Sequence, residues 1–106
     1  KAALRVIKRD GRHEELDRHK LLSGVERACE KRPISMQQVE SLVDSVIGEL
    51  ESEFEREIPS TVIGQKVMDR LEELDEVAYV RFASVYRRFR DVNQFLNEVE
   101  GLISRE

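Results

Sequence analysis

The 106 residues suffice for one hydrophobic core and no second one, and a 40% apolar share set among 38% charged residues excludes a disordered chain. No apolar run approaches the roughly 20 residues that span a bilayer, no signal-peptide pattern opens the sequence, and a single cysteine, Cys29, excludes an internal disulfide or a Cys-rich zinc site. The net charge of −4 argues against holding nucleic acid by bulk electrostatics, and a reducing cytoplasm is the expected compartment.

In chain order, Leu4 to Ile7 reads as a short strand, and Arg9-Asp10-Gly11-Arg12 as the turn after it. Asp-Gly is a strong two-residue hairpin signal because Gly accepts positive φ without steric cost, so His13 to Leu16 is the expected return strand. Asp17 is an N-cap for a helix with Leu21, Leu22, Val25, Ala28 and Cys29 on one face, ended by Pro33. Ser35 and Gln38 form a capping box before a second helix, in which Met36, Val39, Leu42, Val43, Val46, Ile47 and Leu50 recur at helical spacing. Glu55 to Ile58 reads as a third strand closed by Pro59. Ser60 or Thr61 then caps a third helix carrying Ile63, Val67, Met68, Leu71 and Leu74.

Asp75 starts a fourth helix with Val77, Ala78, Phe82, Val85, Tyr86 and Phe89, and Asp91 a last one, from about 91 to 103, that completes the core or docks on a partner. A hairpin of two short strands must pack on the helices to persist in water. The expected fold is therefore α+β, a single domain over 1–106 in which a two- to three-stranded sheet covers four to five helices. Gly24, Gly48 and Gly64 interrupt helices at about 1 kcal/mol each relative to Ala, which close helix packing would offset.

The familiar catalytic signatures are missing: no Walker-A loop, G-x-G-x-x-G, H-E-x-x-H or G-x-S-x-G occurs, and no base stands placed to activate a water. Cys29 falls on an apolar helix face and reads as a small buried thiol. The charge is uneven, however. Residues 1–20 hold seven Lys and Arg against four Asp and Glu, a net +3 that leaves −7 for the rest. Within this basic pole, Lys8 and Arg9 leave a strand at a glycine turn, and Lys20 lies in the first turn of the next helix. Lysine offers phosphate a compact charge, arginine grips two oxygens at once, and free N–H groups at the helix N-terminus would add to the field. The alternative is a solvated hairpin tip. Tyr79 and Tyr86, seven residues apart, either stack on a base or pack in the core, and Arg81, Arg87, Arg88 and Arg90 form a late basic stripe, by default solvated.

Val6-Ile7-Lys8-Arg9-Asp10-Gly11, followed by Glu14, Leu16 and Lys20, resembles the opening motif of the ATP-cone, an allosteric nucleotide-binding module also found at the front of many ribonucleotide reductases. Glu30 to Ile34 and Leu74 to Arg87 resemble, more narrowly, the NrdR family of bacterial repressors of ribonucleotide reductase operons. The resemblance runs from about residue 4 to residue 100. It implies a regulatory adenine-nucleotide site for ATP or dATP with Mg²⁺, without turnover. Lys8 and Arg9 would meet the phosphates, with Glu14 and Lys20 as further family positions; Val6, Ile7, Gly11, Tyr79 and Tyr86 are the other candidate site residues, and none is expected to be catalytic or to ligate metal. Leu16 stands where many members have phenylalanine. The resemblance further implies a homo-oligomer whose assembly answers to nucleotide, and operator DNA met only through a four-cysteine zinc ribbon that these residues do not contain. Two other readings were open: the cone of a reductase catalytic subunit, and a helical interaction module that binds no nucleotide.

Overall fold

Strand β1 (Arg5–Ile7) pairs antiparallel with β2 (His13–Glu15), and β3 (Glu57–Pro59) joins its other side in parallel, giving the order β2-β1-β3. The computed structural model describes residues 4–86, 100 and 101. Val6 lies opposite Ile58 in β3 and Glu14 in β2, so these three side chains share one face of the sheet. Val6, Ile58 and Leu4 are buried there.

Four helices take up that face: α1 (Arg18–Ala28), α2 (Met36–Glu53), α3 (Ser60–Leu74) and α4 (Glu76–Tyr86). Both α1 and α3 pack against α2 and against α4, which closes the helices around one core. Val39, Leu42, Val43, Val46 and Leu50 of α2 meet Val25, Val67 and Leu71 in its centre. Each such side chain, taken fully out of water, stabilises the fold by about 1.5–3 kcal/mol. Two caps match the sequence expectation. Asp17 accepts the N–H groups of His19 and Lys20, and Ser35 and Gln38 form the reciprocal capping box of α2.

The departures have local causes. Helix α1 ends at Ala28, well before Pro33, because Lys31 takes a left-handed φ of 60° and Arg81 Nη1 donates to the carbonyls of Ala28 (3.3 Å) and Glu30 (2.6 Å). Arg81, expected in a solvated stripe, thus ties α4 to the end of α1. Neither Ser60 nor Thr61 caps α3. The edge strand β3 runs straight into the helix, so Pro59, which faces Ile7 in the sheet and has no acceptor side chain, takes the cap position.

Helix α4 keeps part of its expected face: Ala78 is buried and Phe82 and Tyr86 pack on the core, but Val77 and Val85 are 39% and 78% exposed, and Tyr79 and Ala83 are buried instead. Gly48 allows no close approach, since nothing lies within 4 Å of where its Cβ would be. Among the described residues, no helix is long and apolar enough to cross a membrane. The helix expected over 91–103 lies outside the described residues except at Glu100 and Gly101, which are helical; Arg87, Arg88, Phe89 and Arg90 also lie outside them.

Candidate functional site

The hairpin between β1 and β2 closes differently from a two-residue Asp-Gly turn. Lys8 N–H donates to the Arg12 carbonyl at 2.8 Å, Gly11 N–H donates to the Lys8 carbonyl at 2.9 Å, and Gly11 has φ +88°. The loop is therefore Arg9-Asp10-Gly11, a turn completed by one left-handed glycine. Asp10 accepts the Arg12 N–H at 3.0 Å and Arg12 Nε at 2.7 Å, and these bonds hold its carboxyl below the usual carboxylate range. Arg12 and Asp10 thus satisfy each other at the tip, leaving Lys8 and Arg9 facing the helices.

Strand alternation places Lys8 on the same side as Leu4 and Val6, and Glu14 shares that side through its pairing with Val6. Glu14 stands between two ammonium groups: Oε2 lies 3.5 Å from Lys8 Nζ and 3.4 Å from Lys20 Nζ. The charges of Lys8 and Lys20 hold the Glu14 carboxyl below its ordinary range. Lys20 reaches this point from the first turn of α1. Two N–H groups of that turn are already taken by Asp17, so the helix N-terminus is less open to an anion than the sequence suggested. Among the described residues Arg9 has no carboxylate partner; its Nη2 donates to the Tyr86 carbonyl at 3.3 Å, and its guanidinium carbon lies 5.4 Å from the centre of the Tyr86 ring.

Two clefts meet at Tyr86. A polar one of about 280 Å³ lies between the hairpin loop and the start of α3, lined by Lys8, Arg9, Arg12, Ser60 and Tyr86. A more apolar one of about 230 Å³ lies beneath the sheet, where Val6, Lys8, Glu14 and Lys20 border Leu21, Gly24, Ile63, Gly64, Phe82 and Tyr86. Phe82 and Tyr86 stack with ring centres 5.7 Å apart and planes 13° from parallel, and the Tyr86 hydroxyl donates to the Ser60 carbonyl. Burial pushes the Tyr86 phenol above its ordinary pKa.

Of the residues expected in the site, Val6, Lys8, Arg9, Glu14, Lys20 and Tyr86 come together. Gly11 shapes the loop without lining either cleft, and Ile7 alternates to the opposite face of the sheet from Val6. Tyr79 is a buried core residue that borders neither cleft. The sequence reading missed Ser60, Ile63, Leu21 and Phe82 as wall residues. Gly24 and Gly64 were the available signal, yet nothing in the sequence says that they face each other across one cleft. A larger opening, of about 620 Å³, lies away from this cationic cluster, between α2 and the end of α3 near Gln37, Ser41 and Arg70. No described group of three or more His, Cys, Asp and Glu side chains is arranged to hold a metal ion.

A small mixed sheet, with a cationic hairpin held over a cleft between α1, α3 and α4, is the frame in which the family comparison falls. The ATP cone domain model matches residues 4–92, and the chain belongs to this family. Similar curated proteins carry the name Transcriptional repressor NrdR. That of Desulforapulum autotrophicum is 56% identical over 101 residues, covering 95% of this chain and 61% of the relative. Those of Anaeromyxobacter sp. strain K and Pelobacter propionicus are 56% and 52% identical, each covered over 65% and 67% of its own length by 95% and 94% of this chain. The chain thus spans 61% to 67% of the length of these relatives.

Proposed function

We propose that the domain binds ATP or dATP as a regulatory signal, and that the bound nucleotide sets how subunits associate. The observation that carries this reading is the convergence of Lys8, Arg9 and Lys20 at the rim of an apolar cleft walled by Gly24, Ile63, Gly64 and Phe82. A polyanion with a flat apolar end fits that sequence of surfaces. Phosphate oxygens would take the ammonium groups of Lys8 and Lys20 and the guanidinium of Arg9, each charge-assisted bond contributing about 1.5–3 kcal/mol. The base would enter the apolar cleft.

Mg²⁺ fits as a companion of the phosphates. It favours one or two carboxylates together with phosphate oxygens and water, and Glu14 is the carboxylate beside the lysines. The ion would neutralise phosphate charge at the Glu14 edge, and no protein cage is needed for it. Binding without turnover is proposed, in keeping with the name of repressor that the similar proteins carry. In the full-length protein, which we place in the cytoplasm as a homo-oligomer, nucleotide-dependent assembly would govern whether a zinc ribbon outside these residues engages operator DNA and represses ribonucleotide reductase genes. Titration calorimetry with ATP and Mg²⁺ tests the central claim: saturable heat is expected, and its absence at millimolar nucleotide would sink the reading.

A further inference from the structure

Resting on the nucleotide reading above, we propose that Tyr86 is a removable plug that fills the base end of the site in the free domain, latched by Arg9 and released when phosphates capture Arg9. Tyr86 borders the polar cleft, the apolar cleft and a third of about 290 Å³ toward Arg27 and Arg81. Separately these clefts are of about 280, 230 and 290 Å³. Each lies at or below the lower edge of the span of about 300–1,000 Å³ usual for sites that enclose a small molecule. The Tyr86 ring is the wall they have in common. With it withdrawn they merge into one cavity within that span, cationic at the hairpin and apolar toward Phe82.

The ring is seated where a side chain is missing. A Cβ built on Gly64 would collide with Tyr86 ring carbons, so the ring occupies the room that glycine leaves on α3. Among the described residues Tyr86 is otherwise held by the stack on Phe82, by hydroxyl bonds with the Ser60 carbonyl and the Gly64 backbone, and by two contacts from Arg9, one to the ring and one to the backbone carbonyl. Tyr79, by contrast, is 5% exposed within the core, whereas Tyr86 is only partly buried.

Arg9 supplies the coupling. Its guanidinium now serves a neutral carbonyl and a ring face, both weaker partners than phosphate oxygens, which it can grip in pairs. Once Arg9 turns to a phosphate, both of its holds on Tyr86 are lost together. The base then takes the slot beside Gly64 and Phe82, and α4 loses its tie to the hairpin at Tyr86.

The test is NMR on the chain labelled with tyrosine carrying ¹³C at the ε positions, its two tyrosines being assigned by a Tyr79→Phe variant. Calorimetry on the same samples records ATP binding. ATP is expected to move the Tyr86 ring signal further than the Tyr79 signal, and Arg9→Ala is expected to move it toward that released position without nucleotide. An unchanged Tyr79 signal in Arg9→Ala certifies an intact core. ATP that binds while the Tyr86 signal stays in place overturns the plug and leaves the nucleotide site standing. An unmoved Tyr86 signal in free Arg9→Ala overturns the latch. Absence of ATP binding overturns plug and site together.

Discussion

Asp75, at the joint between α3 and α4, accepts Arg32 Nε at 3.0 Å while also capping α4 through the Ala78 N–H at 2.9 Å. One carboxylate thereby fixes the segment after α1 to the start of α4, the helix that carries Tyr86. Burial acts to raise its pKa, but the Ala78 N–H and the Arg32 guanidinium outweigh that and hold it below the usual carboxylate range. A carboxyl depressed in the folded state stabilises at pH values above its unfolded pKa and loses that contribution as pH falls through its folded value. Asp75→Asn keeps a capping oxygen and loses the charge, so at neutral pH it should cost about 1–2 kcal/mol. Asp75→Ala should cost about 0.5–2 kcal/mol more through the lost cap. Urea unfolding checks both. The gap between wild type and Asp75→Asn should close in acid, below the ordinary carboxylate range; a gap independent of pH would show that the charge contributes nothing.

Lys8 and Arg9 stand where the hairpin leaves the sheet, and neither belongs to the buried core. Replacing both with Ala removes several charge-assisted bonds of about 1.5–3 kcal/mol each, so ATP affinity should fall at least about a hundredfold. The thermal midpoint should barely change. A double variant that binds ATP at wild-type strength would remove phosphate recognition from the hairpin.

Helix α4 marks the limit of what periodicity reveals. The apolar spacing on α2 pointed to one face, and Val39, Leu42, Val43, Val46 and Leu50 are buried on it, with Ile47 partly buried and Met36, at the helix start, 43% exposed. On α4, apolar residues surround most of the helix, so pattern alone could not choose a face. The small side chains Ala78 and Ala83 turn inward and let α1 and α3 approach, which leaves Val77 outside. Val77→Ser should therefore change stability by no more than about 0.5 kcal/mol, whereas Ala78→Leu should cost about 1–3 kcal/mol by overpacking. Thermal or urea unfolding of the two variants decides the assignment, and the reverse ranking would put Val77 rather than Ala78 in the core. The same limit applies to the site. Lys8, Arg9, Glu14 and Lys20 were legible because they are near in sequence and carry charge, while Ser60, Ile63 and Phe82 join them only through the packing of α3 and α4.

This chain alone is expected to show no appreciable affinity for DNA at about 0.15 M salt. Its net charge of −4 opposes counterion release. Arg12 and Arg18, which could extend the basic pole, are paired with Asp10 and Asp44, each at 2.7 Å. A mobility shift with operator DNA that persists at that salt would place DNA recognition within these residues.

The last prediction concerns discrimination between ATP and dATP, which differ by one ribose hydroxyl. Under the function proposed above, the repressor would be informative only if its state reported deoxynucleotide level. A polar group that pairs with the hydroxyl loses its partner when dATP binds, at about 1–3 kcal/mol. That difference alone would favour ATP, the more abundant nucleotide, so dATP must gain elsewhere. Assembly offers the gain, since a ligand shifts an equilibrium through its differential affinity for two states, and subunit contacts formed in one state add to that difference. Helix α4 is suited to carry it, because Tyr86 of that helix lines the cleft proposed for the nucleotide. The oligomer size of this chain should therefore differ between saturating ATP and saturating dATP. Light scattering at matched nucleotide, over a range of protein concentrations, measures it. Equal masses throughout would exclude a switch within this domain and leave the rest of the full-length protein as the place where the two nucleotides are told apart.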